Sequence, residues 1–448
     1  MKPNVLLIVI DGLRSDKCFG NKKTSKTPNI DSLIKNGTYF TQAISSSDGT
    51  RTCVGSILTA QYPFQSGLTT FHNHKKSTKF FNLFKKQNYF LFATVPDVDL
   101  WQTLTTNFDG TDMIPKPYEY LFGGTGDKIL KRLENLKNTQ PWIYYIHIMD
   151  LHRSVNFSIP DDFKNNEFGT NDYEKMVSGI DHWIGKFLQK IELDNTLVVI
   201  TSDHGEFIPI SNINHEITYI PSLIKIGQKI KKFLPLYFHN FGLSVFLKIR
   251  DFLVPIRKFF LKLKYSTEEI RTLNIRGTKM NWELYDEVLR IPLLFSGCGI
   301  PSKLIDSQVR QIDIFPTITS IVSLPEIEEN IEGIDLFPFI NGKTMNDEPA
   351  LIENQMLEPY DDDIVIGIRT RNHKYFRDIS NKNKKIFLFD LENDPEEKIN
   401  IATKNPEIVQ QMENLLIKHR KNEKNSPNEY DEDEVSKIKE ELKKMGYI

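Results

Sequence analysis

The chain has 448 residues, of which 39% are hydrophobic and 26% charged, and a formal net charge of -2. That length buries a sizeable core and has room for two or three domains, unless one large α/β sheet absorbs most of it. The composition is that of a globular protein, and the near-neutral charge gives nucleic acid binding no global support. Cys18, Cys53 and Cys298 are few, odd in number and widely spaced, which argues against a disulfide framework and for a reducing compartment. Met1 and Lys2 lead straight into an apolar run without the pattern of a cleavable signal, so a cytoplasmic location is expected.

The first element is that run. Asn4 to Ile10 is short, β-branched and apolar on both faces, which predicts a fully buried parallel strand. Asp11 and Gly12 follow it. Asp-Gly is a common turn dipeptide, but a carboxylate at the carboxyl end of a buried strand also stands where open α/β sheets bind ligands. Thr27 to Asn36 reads as a helix with a Thr cap, Pro in the first turn and Asn-Gly at its close. Tyr39 to Ser45 reads as a strand leading into residues 45–63, SSSDGTRTCVGSILTAQYP, a hydroxyl-rich loop that turns helical at Val54 to Thr59. Such a loop entering a helix N-terminus offers N–H groups and a positive dipole end to an anion. Thr50 or a neighbour is then a candidate nucleophile, with an ordinary helix cap as the alternative.

Further on, WIYYIHIMDLH (142–152) is a strand carrying His147 within it and His152 just beyond Asp150. LVVITSDHGEF (197–207) repeats the opening design: a strand, then Asp203 and His204 side by side, then Gly205. Two strands ending in Asp and in Asp-His can converge on one borderline divalent cation. Leu223 to Tyr265 holds ten Lys or Arg residues against the single acid Asp251, with apolar residues at helical spacing and breaks at Pro235 and Pro255. Its charges exclude a spanning helix of ~20 apolar residues. The segment suits peripheral contact with an anionic membrane face; docking on the catalytic domain or on a second subunit is the alternative. In the C-terminal region Ile364 to Arg377 and Lys385 to Asp390 read as two strands about a polar turn at Asn381 to Lys384. Pro406 to Lys418 reads as an amphipathic helix, and the charge-dense Glu423 to Lys444 as a solvated helix or a partly disordered tail.

These stretches together resemble the sulfatase family of the alkaline phosphatase superfamily. The resemblance runs from NVLLIVIDGLRSD through SILTAQYP, TSDHGE, LYDEVLRIPLLFSG, QIDIFPTITSIVSLP and IEGIDLFPFING to IFLFDLENDPEEKINI. It implies an α/β fold, an alkaline-phosphatase-like mixed sheet between helices, with a small C-terminal α+β subdomain. The corresponding division is a catalytic domain at 1–345, carrying a basic insert at about 217–266, and a subdomain with charged tail at 346–448. It also implies a divalent metal held by Asp11, Thr50, Asp203 and His204.

The departures from the family bear on the chemistry. Sulfatases carry C-x-P-S-R before a helix ending in L-T-G, and convert that Cys to formylglycine. Anchoring on Ile57-Leu58-Thr59 places Thr50 at the Cys position, while Cys53 falls three residues late without the Pro and Arg of the modification signal. Thr there resembles the phosphoethanolamine and phosphoglycerol transferases of the superfamily. Gly12 replaces the second Asp of the usual pair, which favours manganese or zinc, with calcium and magnesium also open. The sulfate-binding Lys and His are absent from QNYFLFATVPD (87–97).

His152, in a pattern resembling D-x-H-x-P-Y, is the expected proton donor to the leaving group. His147 is set aside as a satisfied core histidine. Lys279 resembles the family lysine before L-Y-[DE]-E, although two residues farther from that anchor; a solvated lysine is the alternative. The expected protein is a metal-dependent hydrolase of a sulfate or phosphate ester, acting through a covalent Thr50 intermediate. The alternatives are a phospho-group transferase with a lipid-linked or glycan substrate, and a degraded sulfatase-like binding protein.

Overall fold

The structure is a computed structural model that describes residues 2–68, 79–115, 119–152, 159–208, 253, 256, 259–261, 263–275, 284–325, 331–344, 346–355, 364–420, 436 and 439–440. The chain divides into two compact units, Met1–Glu206 with Trp282–Ile448, and Phe207–Asn281. Lys279, most of the 217–266 insert and nearly all of the tail at 423–444 lie outside the described residues.

In the first unit an eight-stranded sheet is built from β1 (Asn4–Ile10), β2 (Thr38–Ile44), β3 (Phe90–Pro96), β4 (Gly110–Ile114), β5 (Trp142–Ile148), β6 (Thr196–Thr201), β7 (Arg290–Ser296) and β8 (Lys303–Arg310). Their order is β4-β3-β5-β1-β6-β7-β2-β8. β7 runs against both neighbours, β6 and β2, and the other pairings are parallel. Every residue of β1 and β5 is buried, as apolar strands covered on both faces require. Because β1, β2, β5 and β6 run the same way, their carboxyl ends open on one edge of the sheet.

Helices flank this sheet, Asp172–Leu188 being the longest among the described residues. The predicted helix at 27–36 forms as Pro28–Lys35 with Thr27 at the N-cap, but the Thr hydroxyl turns to Asp31 Oδ1 at 3.1 Å. Asp181 of the long helix takes over the capping, accepting from Ile30 N at 2.7 Å and Asn29 N at 3.2 Å, since a carboxylate meets two orphan amides better than one hydroxyl. The helix expected from Val54 begins at Thr50 and runs to Thr59. The hydroxyl-rich turn that looked like loop is wound, and the hydroxyls of Thr52, Ser56 and Thr59 donate to the carbonyls of Gly49, Thr52 and Gly55.

The C-terminal region forms a second sheet, in the order β12-β11-β10-β9, from β9 (Ala350–Glu353), β10 (Val365–Arg369), β11 (His373–Asp378) and β12 (Phe387–Asp390). The segment 364–377, expected to be one strand, is instead a hairpin, because the chain reverses where Thr370 N donates to His373 O at 2.8 Å. Helix Pro406–His419 covers this sheet through Met412 and Leu416.

A buried ionic knot ties this sheet to the turn ahead of β7. Lys374, fully buried, places Nζ 2.7 Å from Asp286 Oδ1 and also pairs with Glu397, while Arg369 Nη2 lies 2.8 Å from Asp286 Oδ2. Burial pushes the Glu397 carboxyl up to about 7, and Asp286 is held well below the carboxylate range by Arg369 and Lys374 despite its own burial. Removing the shared cation would leave the buried Glu397 without it and Asp286 with Arg369 alone. Lys374→Met is therefore expected to lower stability by about 3–5 kcal/mol, read from the midpoint of urea unfolding.

Candidate active site

β1 ends at Ile10, and Asp11 N donates to Ile148 O at 2.9 Å, so the strand's last backbone bond fixes the Asp11 side chain at the sheet edge. Gly12 turns the chain away at φ +70°, a conformation that a second Asp at this position would adopt only with strain. Its amide donates to Asp203 Oδ1 at 3.2 Å. Tyr173 OH, donating to Gly12 O at 2.7 Å, holds this turn from the long helix.

β6 stops at Thr201. Ser202 Oγ contacts Ile10 O at 2.6 Å and accepts from Leu13 N at 3.0 Å, which clamps the ends of β1 and β6 together. Asp203 and His204 then face the Asp11 carboxylate. Gly205 is demanded by close approach rather than by a left-handed turn, since a Cβ there would stand 2.2 Å from Glu287 O. The loop after β2 is tied to the same turn by Gln311, which accepts from Ser46 N at 3.2 Å and donates to Asp203 O at 2.5 Å. Sequence reasoning missed this fully buried positioning residue, whose role depends on contacts far along the chain.

Thr50, the first residue of the 50–59 helix, is half-buried, and its Oγ1 donates to Asp11 Oδ2 at 3.0 Å and lies 3.3 Å from His204 Nε2. His204 Nδ1 faces Gly205 O at 2.7 Å. A carbonyl only accepts, so Nδ1 carries the hydrogen and Nε2 is the atom presented to Thr50. The structure thus brings Asp11, Thr50, Asp203 and His204 together. Cys53 lies one turn further on, fully buried, with Sγ donating to Ser47 O at 3.1 Å and its thiol pushed well up by burial.

His147 is the residue whose reading changes. It is fully buried in β5 and Nδ1 pairs with Tyr145 OH at 3.1 Å, but Nε2 points to Asp11 Oδ2 at 3.7 Å. Among the described residues, Asp11, His147 and Asp203 each offer an atom within 4.8 Å of the others. Asp11 Oδ1, His147 Nε2 and Asp203 Oδ2 have no hydrogen-bond partner there. Three unpartnered polar atoms buried face to face are not what a satisfied core histidine shows; they fit a cation. His152 is also buried, and after burial itself its charge is the largest influence on Asp11. Its neighbour Asp150 accepts from Leu121 N at 3.1 Å, and burial pushes its carboxyl up to about 7.

Electrostatics point the same way. Burial opposes ionisation of Asp11, yet His152, His147 and His204 hold it well below the carboxylate range. Asp203 is pushed up, first by burial and then by Asp11. Burial alone would lower His204, but Asp203 and Asp11 outweigh it and hold it at about 9. Two buried carboxylates this close resist joint ionisation, and a divalent cation between them removes the conflict.

A mixed α/β sheet with an acid-imidazole cluster on its carboxyl edge defines the class of protein. The Sulfatase family profile matches residues 3–324, and the profile of the N-sulphoglucosamine sulphohydrolase C-terminal region matches residues 281–424. The chain belongs to the sulfatase family, within the alkaline phosphatase superfamily, as its motifs led one to expect. Arylsulfatase K of Bos taurus is 23% identical over 299 residues, covering 64% of this chain and 52% of that protein. The chain thus spans about half the length of the curated relatives it matches first. Among solved structures, Ps i-CgsB superposes with a TM-score of 0.65 at 17% identity, covering 98% of this chain and 97% of the other. The phosphonate monoester hydrolase of Agrobacterium radiobacter gives 0.64 at 15% identity, covering 94% and 96%. These likenesses establish the fold.

Proposed function

We propose that this protein is a metal-dependent hydrolase of sulfate or phosphate monoesters in which Thr50 is the nucleophile. The observation that carries the reading is the position of Thr50 Oγ1, at a helix N-terminus and 3.0 Å from Asp11 Oδ2 and 3.3 Å from His204 Nε2. Asp11, Asp203 and His204, with His147 facing the same point, would hold the ion, and this mix of carboxylate and imidazole suits manganese or zinc. When bound, such an ion lowers the pKa of a neighbouring hydroxyl and polarises an ester oxygen. The residues of the chain do the rest.

Asp11 orients the Thr50 hydroxyl, and the first amides of the 50–59 helix face the anionic group. Thr50 Oγ1 passes its proton to Asp11 Oδ2, which accepts its hydrogen bond, and bonds to phosphorus or sulfur as the bond to the leaving oxygen breaks, while His152 supplies the proton that the departing alcohol takes up. Water then attacks the Thr50 ester in line and gives a proton to His152, while Asp11 returns its proton to Thr50 Oγ1 and so restores the hydroxyl.

A second reading, transfer to an acceptor alcohol in place of water, is favoured by Thr50 itself. A threonine ester has no second hydroxyl through which to eliminate the bound group, so release needs a further in-line attack, which suits phosphorus. On either reading the alcohol is a glycan or a lipid-linked group, and the enzyme works in the cytoplasm at a membrane face. Support for that setting comes from the three free thiols and the basic insert. The test is turnover of 4-nitrophenyl sulfate, 4-nitrophenyl phosphate and a phenylphosphonate ester. Hydrolysis of at least one should vanish with chelator and return with manganese or zinc. Fully metallated protein that turns over none of them, with water or with added glycerol as acceptor, would leave a binding protein on a sulfatase fold.

A further inference from the structure

We infer that the exposed apolar stripe formed by Ile256, Phe259, Phe260 and Leu263 is a docking surface for an anionic lipid bilayer. This inference rests on the second unit alone and stands whether or not Thr50 is the nucleophile. The four residues are 45%, 60%, 64% and 72% exposed, the largest run of uncovered apolar side chains among the described residues. Residues 256, 259 and 260 are helical, and Leu263 N donates to Phe260 O at 3.3 Å where the helix closes. Their spacing of i, i+3, i+4 and i+7 puts them on one face, a stripe about 100° wide. The Phe259 and Phe260 rings stand edge-on with centroids 5.7 Å apart, forming a single apolar ridge.

A ridge of this kind needs a cover, and the surrounding charge says which. In the sequence Arg257, Lys258, Lys262 and Lys264 stand among these positions, no acid occurs between Leu253 and Tyr265, and the whole of 223–265 has ten basic residues against Asp251. Two copies of a segment this basic would repel one another. An anionic lipid face accepts both components, with Phe and Leu entering the acyl boundary and the long basic stems reaching the headgroups. Among the described residues no helix is long and apolar enough to cross a membrane, so the contact is peripheral.

The test is co-sedimentation of the full chain with vesicles of phosphatidylcholine alone and of phosphatidylcholine mixed with phosphatidylglycerol. Binding should require the anionic lipid and weaken as salt is raised. The double variant F259S/F260S should lower the partition coefficient by at least about tenfold, and K258Q/K262Q/K264Q should remove the preference for anionic lipid. Circular dichroism and the unfolding midpoint of each variant, matched to the parent, exclude misfolding. The inference is overturned if the intact protein does not bind the mixed vesicles, or if F259S/F260S binds as the parent does. A concentration-dependent dimer lost in F259S/F260S, without lipid binding, would make a second copy the occupant instead.

Discussion

Thr50→Ala is expected to lower kcat by about four orders of magnitude or more while leaving metal content near that of the parent. Of Asp11, Thr50, His147, Asp203 and His204, Thr50 alone is not fully buried, and its hydroxyl lies against Asp11 and His204. A neutral alcohol is the weakest of the donors facing the cation, so its loss should spare binding. Cys53→Ala supplies the contrast. Its sulfur is buried and its thiol held protonated, so the change costs on the order of 1 kcal/mol of stability and little turnover. Turnover assays of both variants, with mass spectrometry of the peptide spanning residues 45–63 after reaction with ester, check this. A Thr50 ester should appear in the parent. Were Cys53→Ala inactive and Thr50→Ala active, the nucleophile would stand three residues later and that peptide should carry an aldehyde.

How much of this site the sequence revealed depends on how local each signal is. Asn4 to Ile10 could be placed because an all-apolar β-branched run has few other fates, and the strand forms over those residues. Asp11, Asp203 and His204 were visible as breaks at the ends of such runs. His147 was not, because a lone imidazole in a buried strand looks the same whether it faces packing or a cation. Register decides it. Val9 pairs with His147 on one side and with Thr201 on the other, and a two-residue step from Val9 and Thr201 reaches Asp11 and Asp203. All three side chains therefore emerge on one face, a fact that needs the order β5-β1-β6 and cannot be read from any one strand. The reversal of β7 between β6 and β2 was hidden for the same reason, since LYDEVLRIPLLFSG carries no mark of its direction. Gln311 joins two loops more than a hundred residues distant from it in the chain, and nothing in its neighbourhood announces that.

Asp203→Ala is expected to abolish metal binding together with activity and to leave the fold intact. Asp203 Oδ2 is one of the three unpartnered atoms, and Oδ1 accepts from Gly12 N and His204 N, so one side chain both faces the cation and sets the two turns around it. Its loss should therefore cost more affinity than the roughly 10- to 100-fold typical of an outer-shell partner. The fold should survive because burial and Asp11 already disfavour the Asp203 charge, so its removal relieves a conflict that is strongest when no cation is bound. The sign is that of a carboxyl raised in the folded state: it opposes folding above its unfolded pKa, and the opposition disappears with the group. Thermal unfolding separates the two effects. Added manganese or zinc should raise the midpoint of the parent and of Thr50→Ala, by mass action on the folded state, and leave Asp203→Ala unmoved. His147→Ala should show a reduced shift, since it removes the imidazole that faces Asp11 from β5. A full metal-induced shift in Asp203→Ala would place the cation elsewhere and remove the basis for activating Thr50.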